Sequence, residues 1–311
     1  MDKIDIALVR ELSQEQPTLP ARMGLRSSYR NMAEKLGVSP GTVRQRINKL
    51  FTSGIVTGSS VYVNPSLVGL KGGAYAVEVA STFHKHDVIE RLKQIDGILI
   101  IHNFHSSLVG IFFVYADENN LQEKIDHFQA ATGARHGMFS QVLFPPCPTT
   151  FTNSELDLIN RLCRGSFKSY SELSRELRTP IRTLKRRLSR IKAARAVASL
   201  PTLNYRAIDG GVPTDLIVVF ADAKTKDETE KKVLEIVGDF LFFAGPGEGF
   251  SVYNLVLPKM VIADELTHKI MAIGGVKIAR PEFVDDHIDL TKDLGGYIQK
   301  RLKSLKSRRM M

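Results

Sequence analysis

A chain of 311 residues is twice the ~150 of a typical domain, so two or more cores are expected. Apolar residues make up 43% and charged ones 24%, which suits folded cores and excludes a disordered or collagen-like chain. The longest apolar run, Leu108 to Ala116, is far short of the ~20 residues that cross a bilayer.

The first residues carry acids where a signal peptide needs a basic and then an apolar segment. Two cysteines, Cys147 and Cys163, make neither a disulfide framework nor a four-thiolate zinc site, so a cytoplasmic protein with no membrane partner is expected. Lys and Arg number 43 against 33 Asp and Glu, a net charge of +10. Residues 22–50 hold seven basic residues and one acid, residues 164–195 eleven and two, and residues 300–309 six and none. Such local excess points to an anionic partner, double-stranded DNA foremost.

In chain order, Ile4, Leu8 and Leu12 recur at helical spacing. Prolines and a glycine make residues 17–28 a loop, after which Ser27 or Ser28 caps a helix through Leu36, ended by Gly37. Ser39 and Pro40 open a third helix as N-cap and first helical residue, Val43, Ile47 and Leu50 give it one buried stripe, and Gly54 ends it. Strands at 55–57 and 60–64 read as the hairpin of a winged helix-turn-helix. Strand 74–80, helix 85–95, strands 98–104 and 108–115, helix 118–131 and strand 135–144 follow. That βαββαβ order argues a ferredoxin-like sandwich, an antiparallel sheet whose bare face needs a partner.

The order then recurs. An offset of 141 aligns Tyr29 with Tyr170, Leu36 with Leu177, Arg46 with Arg187, Val77 with Val218 and Gly97 with Gly238; the first helices need 150, matching Leu8 with Leu158. Thr179 and Pro180 repeat Ser39 and Pro40. Strands near 215–221, 239–243, 251–257 and 276–283, with helices near 226–237 and 260–272, complete the second copy. The expected fold class is α+β, an internal duplication: winged helix-turn-helix domains at 1–66 and 149–206, each followed by a ferredoxin-like domain, at 67–148 and 207–290. A basic tail, 291–311, carries Leu294, Ile298, Leu302 and Leu305 at helical spacing.

The stretches IDIALVREL, MAEKLGVSPGTVRQRINKLFTSGIV and NPSLVG make the chain resemble the leucine-responsive regulator (Lrp/AsnC) family of transcription factors. The resemblance covers the first 144 residues well and the second copy more loosely, since Arg178 and Arg195 replace the glycines on either side of its third helix. It implies two family members fused, a regulator of promoter DNA that is not an enzyme, has no catalytic residues and needs no cofactor or metal. A small-molecule effector would be in keeping with the family, although neither 104–107 nor 245–249 matches its effector-binding hairpin. The two bare sheets would pair within the chain as an intramolecular pseudo-dimer, and two chains could form a homodimer.

Steps of 100° per residue put Gly41, Gln45 and Asn48 on the outer face of the third helix, with Arg44 and Lys49 on its flanks. Amides suit adenine edges, and Arg and Lys suit phosphates. In the second copy Arg182, Arg186 and Ser189 face outward, flanked by Lys185 and Arg190, a set suited to guanine edges or phosphate. Ser39, Thr42 and Thr183, near the helix starts, complete the DNA-binding candidates. A non-specific architectural DNA-binding protein wants the same basic faces.

Six histidines between His84 and His136 lack an acid or cysteine at ligand spacing, so no metal site is expected. Ile101, His102, Asn103 and Phe104 are similar to a histidine-asparagine-tyrosine stretch of siroheme decarboxylases, tetrapyrrole enzymes of the same two-part architecture. The arginine that should follow is absent from His105, Ser106, Ser107 and Leu108. The glycines of 244–250 precede no helix, so they read as a turn and not as a nucleotide site.

Overall fold

Ten α-helices and ten strands are ordered among the described residues of the computed structural model, which are 1–15, 25–147, 150–163 and 170–291, with 296, 299, 300, 303 and 304 beyond them. The first half contains α1 (Lys3–Glu15), α2 (Leu25–Leu36), α3 (Pro40–Thr52), β1 (Val56–Val63), β2 (Lys71–Glu78), α4 (Lys85–Leu92), β3 (Ile98–Phe104), β4 (Leu108–Tyr115), α5 (Glu118–Thr132) and β5 (Met138–Val142). The second half runs in the same order: α6 (Asn153–Cys163), α7 (Tyr170–Glu176), α8 (Ile181–Ala193), β6 (Val197–Leu203), β7 (Val212–Phe220), α9 (Lys226–Val237), β8 (Leu241–Pro246), β9 (Phe250–Leu257), α10 (Val261–Met271) and β10 (Val276–Asp289). No helix among the described residues is long and apolar enough to cross a membrane.

Eight strands form one antiparallel sheet in the order β5-β2-β4-β3-β10-β7-β9-β8. Its outer strands meet as well: Leu143 N–H donates to the Pro246 carbonyl (3.2 Å) and Glu248 N–H to that of Gln141 (3.0 Å). Pairing there covers edges that would otherwise offer unsatisfied backbone groups. Every residue of β9 is buried, and all of β4 except Phe112, because each strand is covered on both faces. Toward the helices, Val109, Ile111 and Phe113 pack with Val88, Leu92 and Phe128, while Leu216, Val218 and Tyr253 pack with Val233, Leu266 and Ile270. The opposite faces meet each other.

Each three-helix unit rests on the other half. The core under α1–α3 joins Ile6, Met32, Val43 and Ile47 to Tyr205, Ile208, Phe242 and Val256, and Arg10 donates to the Gly238 carbonyl at 3.0 Å. The core under α6–α8 joins Leu156, Leu184, Leu188 and Ile191 to Val63, Leu67 and Val114.

The wing expected at 55–64 is not a local hairpin. Residues 56–63 form one strand that pairs antiparallel with β6 of the other half; a register shift between Val56 and Gly58 takes up Thr57, and the expected turn residues Gly58 and Ser59 pair with Thr202 and Pro201. Helix α2 begins at Leu25, ahead of Ser27 and Ser28, while residues 16–24 lie outside the described residues. Strand β10 runs six residues past its expected end at 283, because Val284 to Asp289 pair with β3 of the first half. Leu294, Ile298, Leu302 and Leu305 of the basic tail also lie outside the described residues.

The two third helices start differently. Ser39 caps α3, its Oγ accepting from Thr42 N–H at 3.0 Å, and Pro40 is the first helical residue. At α8 the cap position falls to Pro180, which has no side-chain acceptor. The expected cap, Thr179, is turned back: its Oγ1 donates to the Leu177 carbonyl (2.9 Å) and its own carbonyl accepts from Ser174 Oγ (2.7 Å).

Candidate nucleic-acid interface

Helix α3 buries Val43, Ile47 and Leu50 and exposes Arg44, Gln45, Asn48 and Lys49 on one side. Thr42 is half-buried beside the Ser39 cap, and its hydroxyl hydrogen-bonds the serine's at 2.9 Å. Arg46 is spoken for, since Nη1 reaches Asp2 (2.6 Å) and Asp5 (3.0 Å) and clamps α3 to α1. No carboxylate among the described residues forms an ion pair with Arg44 or Lys49.

Helix α8 has the same inward stripe, Leu184, Leu188 and Ile191, but its exposed side is cationic. Arg182 and Arg186 are exposed and in no ion pair with a described residue, Thr183 is half-buried, and Lys185 lies over the Tyr170 ring at 5.2 Å. Arg190 is tied to Glu155 at 3.0 Å and to the Thr150 carbonyl at 3.2 Å, and Ser189 Oγ donates to its own helix at Lys185. Among the described residues, Arg190 and Ser189 therefore have partners within the fold, whereas Arg182 and Arg186 have none.

Arg178 and Arg195 adopt left-handed backbone (φ 45° and 53°), where the first half has Gly37 and Gly54 at φ 63° and 73°. A side chain held there costs about 1 kcal/mol or more, a strain that glycine avoids.

A second polar constellation lies where the two halves meet, and sequence reasoning missed it. His102 of β3 (3% exposed) bonds through Nδ1 to Asp215 of β7 (2% exposed), and Asn254 of β9 bonds the other oxygen of that carboxylate. His102 Nε2 lies 2.8 Å from Nδ1 of His287 on β10. A carboxylate only accepts, so His102 Nδ1–H and the Asn254 amide donate to it. Burial, and then the neighbouring His102, push the His287 pKa down to about 3, which keeps that ring neutral. The signal was present in sequence as an acid and an amide inside apolar strands, TDLIVVF and SVYNLVL, at positions where the matching β2 and β4 residues are Ala74 and Phe112.

The other expected histidines do not gather. His84 lies 3.9 Å from Asp87, His105 lies 3.3 Å from Asp285, and no three His, Cys, Asp or Glu side chains among the described residues form a metal-sized group. Residues 247–249 form the β8–β9 turn. Lys85, buried, donates to the carbonyls of Phe104 and Ser106 and braces the β3–β4 turn; burial lowers its pKa to about 8.

A helix-turn-helix at the N-terminus and an antiparallel sheet covered by helices define a mixed α+β protein. Residues 1–50 match the model of the AsnC-type helix-turn-helix domain, so the chain carries that domain at its N-terminus. The HTH-type transcriptional regulator Ptr1 of Methanocaldococcus jannaschii is 29% identical over 99 residues, 32% of this chain and 61% of that protein. The regulatory protein AsnC of Escherichia coli K12 is 32% identical over 82 residues, 26% of this chain and 54% of that one. The chain thus spans less than two thirds of either relative. The siroheme decarboxylase NirDL has a similar fold over 96% of this chain and 99% of its own, at a TM-score of 0.55 and 13% identity.

Proposed function

We propose that this protein is a sequence-specific DNA-binding transcription regulator of the Lrp/AsnC type, in a tandem form made of two copies. The observation that carries the reading is the outer face of α3, where Arg44, Gln45, Asn48 and Lys49 stand exposed in the recognition slot of an AsnC-type domain. Gln45 and Asn48 read base edges in the major groove, Arg44 and Lys49 hold phosphates, and Ser39 and Thr42 fix the helix start against the backbone.

In this reading the units at 1–66 and 149–206 both lie on DNA, and the units at 67–148 and 207–290 pair as an intramolecular pseudo-dimer. The second helix anchors the phosphate backbone through Arg182, Lys185 and Arg186, with Thr183, Ser189 and Arg190 lending support. Charge without amides binds every sequence about equally.

The test is selection from random duplex DNA with non-specific competitor at stated salt. A reproducible motif is the expected result. Binding without any motif would make the chain an architectural DNA protein, and no binding would remove the reading.

A second reading, a siroheme-decarboxylase-like enzyme, draws on the fold shared with NirDL over nearly the whole chain. Against it stand the absence of an arginine in 105–108 and the engagement of His102 within the fold. Siroheme added without air is expected to give neither an absorbance change nor carbon dioxide; either signal would favour the enzyme.

A further inference from the structure

A cavity of about 310 Å³ opens between the facing halves of the eight-stranded sheet, beside the polar constellation. It exists because bulk is missing from the first half of the sheet: Ala76 lies directly across β2–β4 from Gly110, so the two positions contribute a single methyl, and Ala74 follows on the same face. Phe104, Phe112 and Phe250 supply flat apolar walls, with Ile217 and Val252 from the other half. Unfilled apolar space of this size lowers stability, and a larger aliphatic side chain at 74 or 76 would remove it.

Two charged groups line the space, and they are unequal. Asp215 is buried with both oxygens already accepting, from His102 and from Asn254. Lys277 is exposed and in no ion pair with a described residue. It occupies the extra position where the β10–β7 register shifts between Val276 and Ile278, a bulge that re-aims a side chain. Exposed Met138, Ala221 and Lys277 mark the mouth, and Asp215 lies at depth.

We infer that this cavity binds a small, flat, apolar monocarboxylate, its ring between the phenylalanines and its carboxylate outward on Lys277. An ammonium group would meet Lys277 at the mouth and a carboxylate already satisfied inside. The volume, at the small end of ligand sites, admits one or two rings and not a four-ring macrocycle. The inference is independent of DNA binding.

Full-length protein titrated calorimetrically with indole-3-acetate, indole and tryptamine tests it. These probes share one ring system and differ in charge. Indole-3-acetate should bind at least tenfold more tightly than indole, and tryptamine more weakly than either. Lys277→Gln should erase the preference for the acid and leave indole unchanged. Ala76→Leu, with its thermal transition checked to show a fold, should abolish binding of both. Equal binding of the three probes, no binding of any up to millimolar concentration, or unchanged binding by a folded Ala76→Leu protein would overturn the assignment.

Discussion

Residues 3–142 and 153–289 pass through the same order of elements, yet they place their polar groups differently. The first half caps its third helix with Ser39, turns on glycines and exposes amides; the second has an uncapped start, arginines in left-handed backbone and exposed guanidinium groups. The inner sheet face is uneven in the same way, with Asp215 and Asn254 in one half where Ala74 and Phe112 stand in the other. What the halves share is the set of apolar positions that build cores. What separates them is the chemistry of the surfaces and of the junction, so the two helix units are suited to different tasks.

The difference can be probed from its largest expected effect downward. Asp215→Ala should destabilise the protein by about 2–4 kcal/mol in denaturant unfolding, because the His102 and Asn254 donors lose a buried acceptor. A change below about 0.5 kcal/mol, within the scatter of surface substitutions, would mean that the constellation is solvated and unimportant.

His287 gives a pH signature. Its pKa in the fold is about 3, below the ~6.5 of an unfolded chain, so the unfolded state takes up the proton first. Its contribution to stability is complete above about pH 6.5 and is lost as pH falls from there toward 3, by up to about 1.4 kcal/mol per pH unit. His287→Phe should flatten that slope between pH 6.5 and 4, and an unaltered slope would contradict the buried neutral ring.

The caps come next. Ser39→Ala should lower stability by about 1 kcal/mol, whereas Thr179→Ala, which removes no cap, should lower it by roughly half that or less. Equal losses in thermal unfolding would remove the distinction between the helix starts. Smallest is the effect of Arg178→Gly or Arg195→Gly, each expected to raise stability by about 0.5 kcal/mol, as relief of the left-handed strain outweighs the added freedom of the unfolded chain.

Much of this was legible in sequence where the determinants are local. The stripes Val43–Ile47–Leu50 and Leu184–Leu188–Ile191, the Ser39 cap and the strands at 98–104 and 108–115 follow from spacing alone. Pairings between halves left no such trace. Gly58 and Ser59 look like a turn until β6, about 140 residues away, is there to pair with them. The same holds for the extension of β10 onto β3, and for His102, Asp215, Asn254 and His287, which long-range pairing alone gathers. Thr179 misled because a threonine before proline fits a cap, while the left-handed Arg178 redirects it.

The division of labour proposed for α3 and α8 meets its most direct test in DNA selection by two variants. Gln45→Ala with Asn48→Ala should lose about 1–3 kcal/mol per base pairing and its enriched motif, while log affinity keeps its slope against log salt. The triple change Arg182→Gln, Lys185→Gln and Arg186→Gln should select the same motif as the unaltered protein but reduce the magnitude of that slope by up to ~2.7, at ~0.9 for each phosphate no longer neutralised. If the amide variant keeps its motif, or if the slope of the folded triple variant does not move, the account of one reading helix and one anchoring helix is wrong.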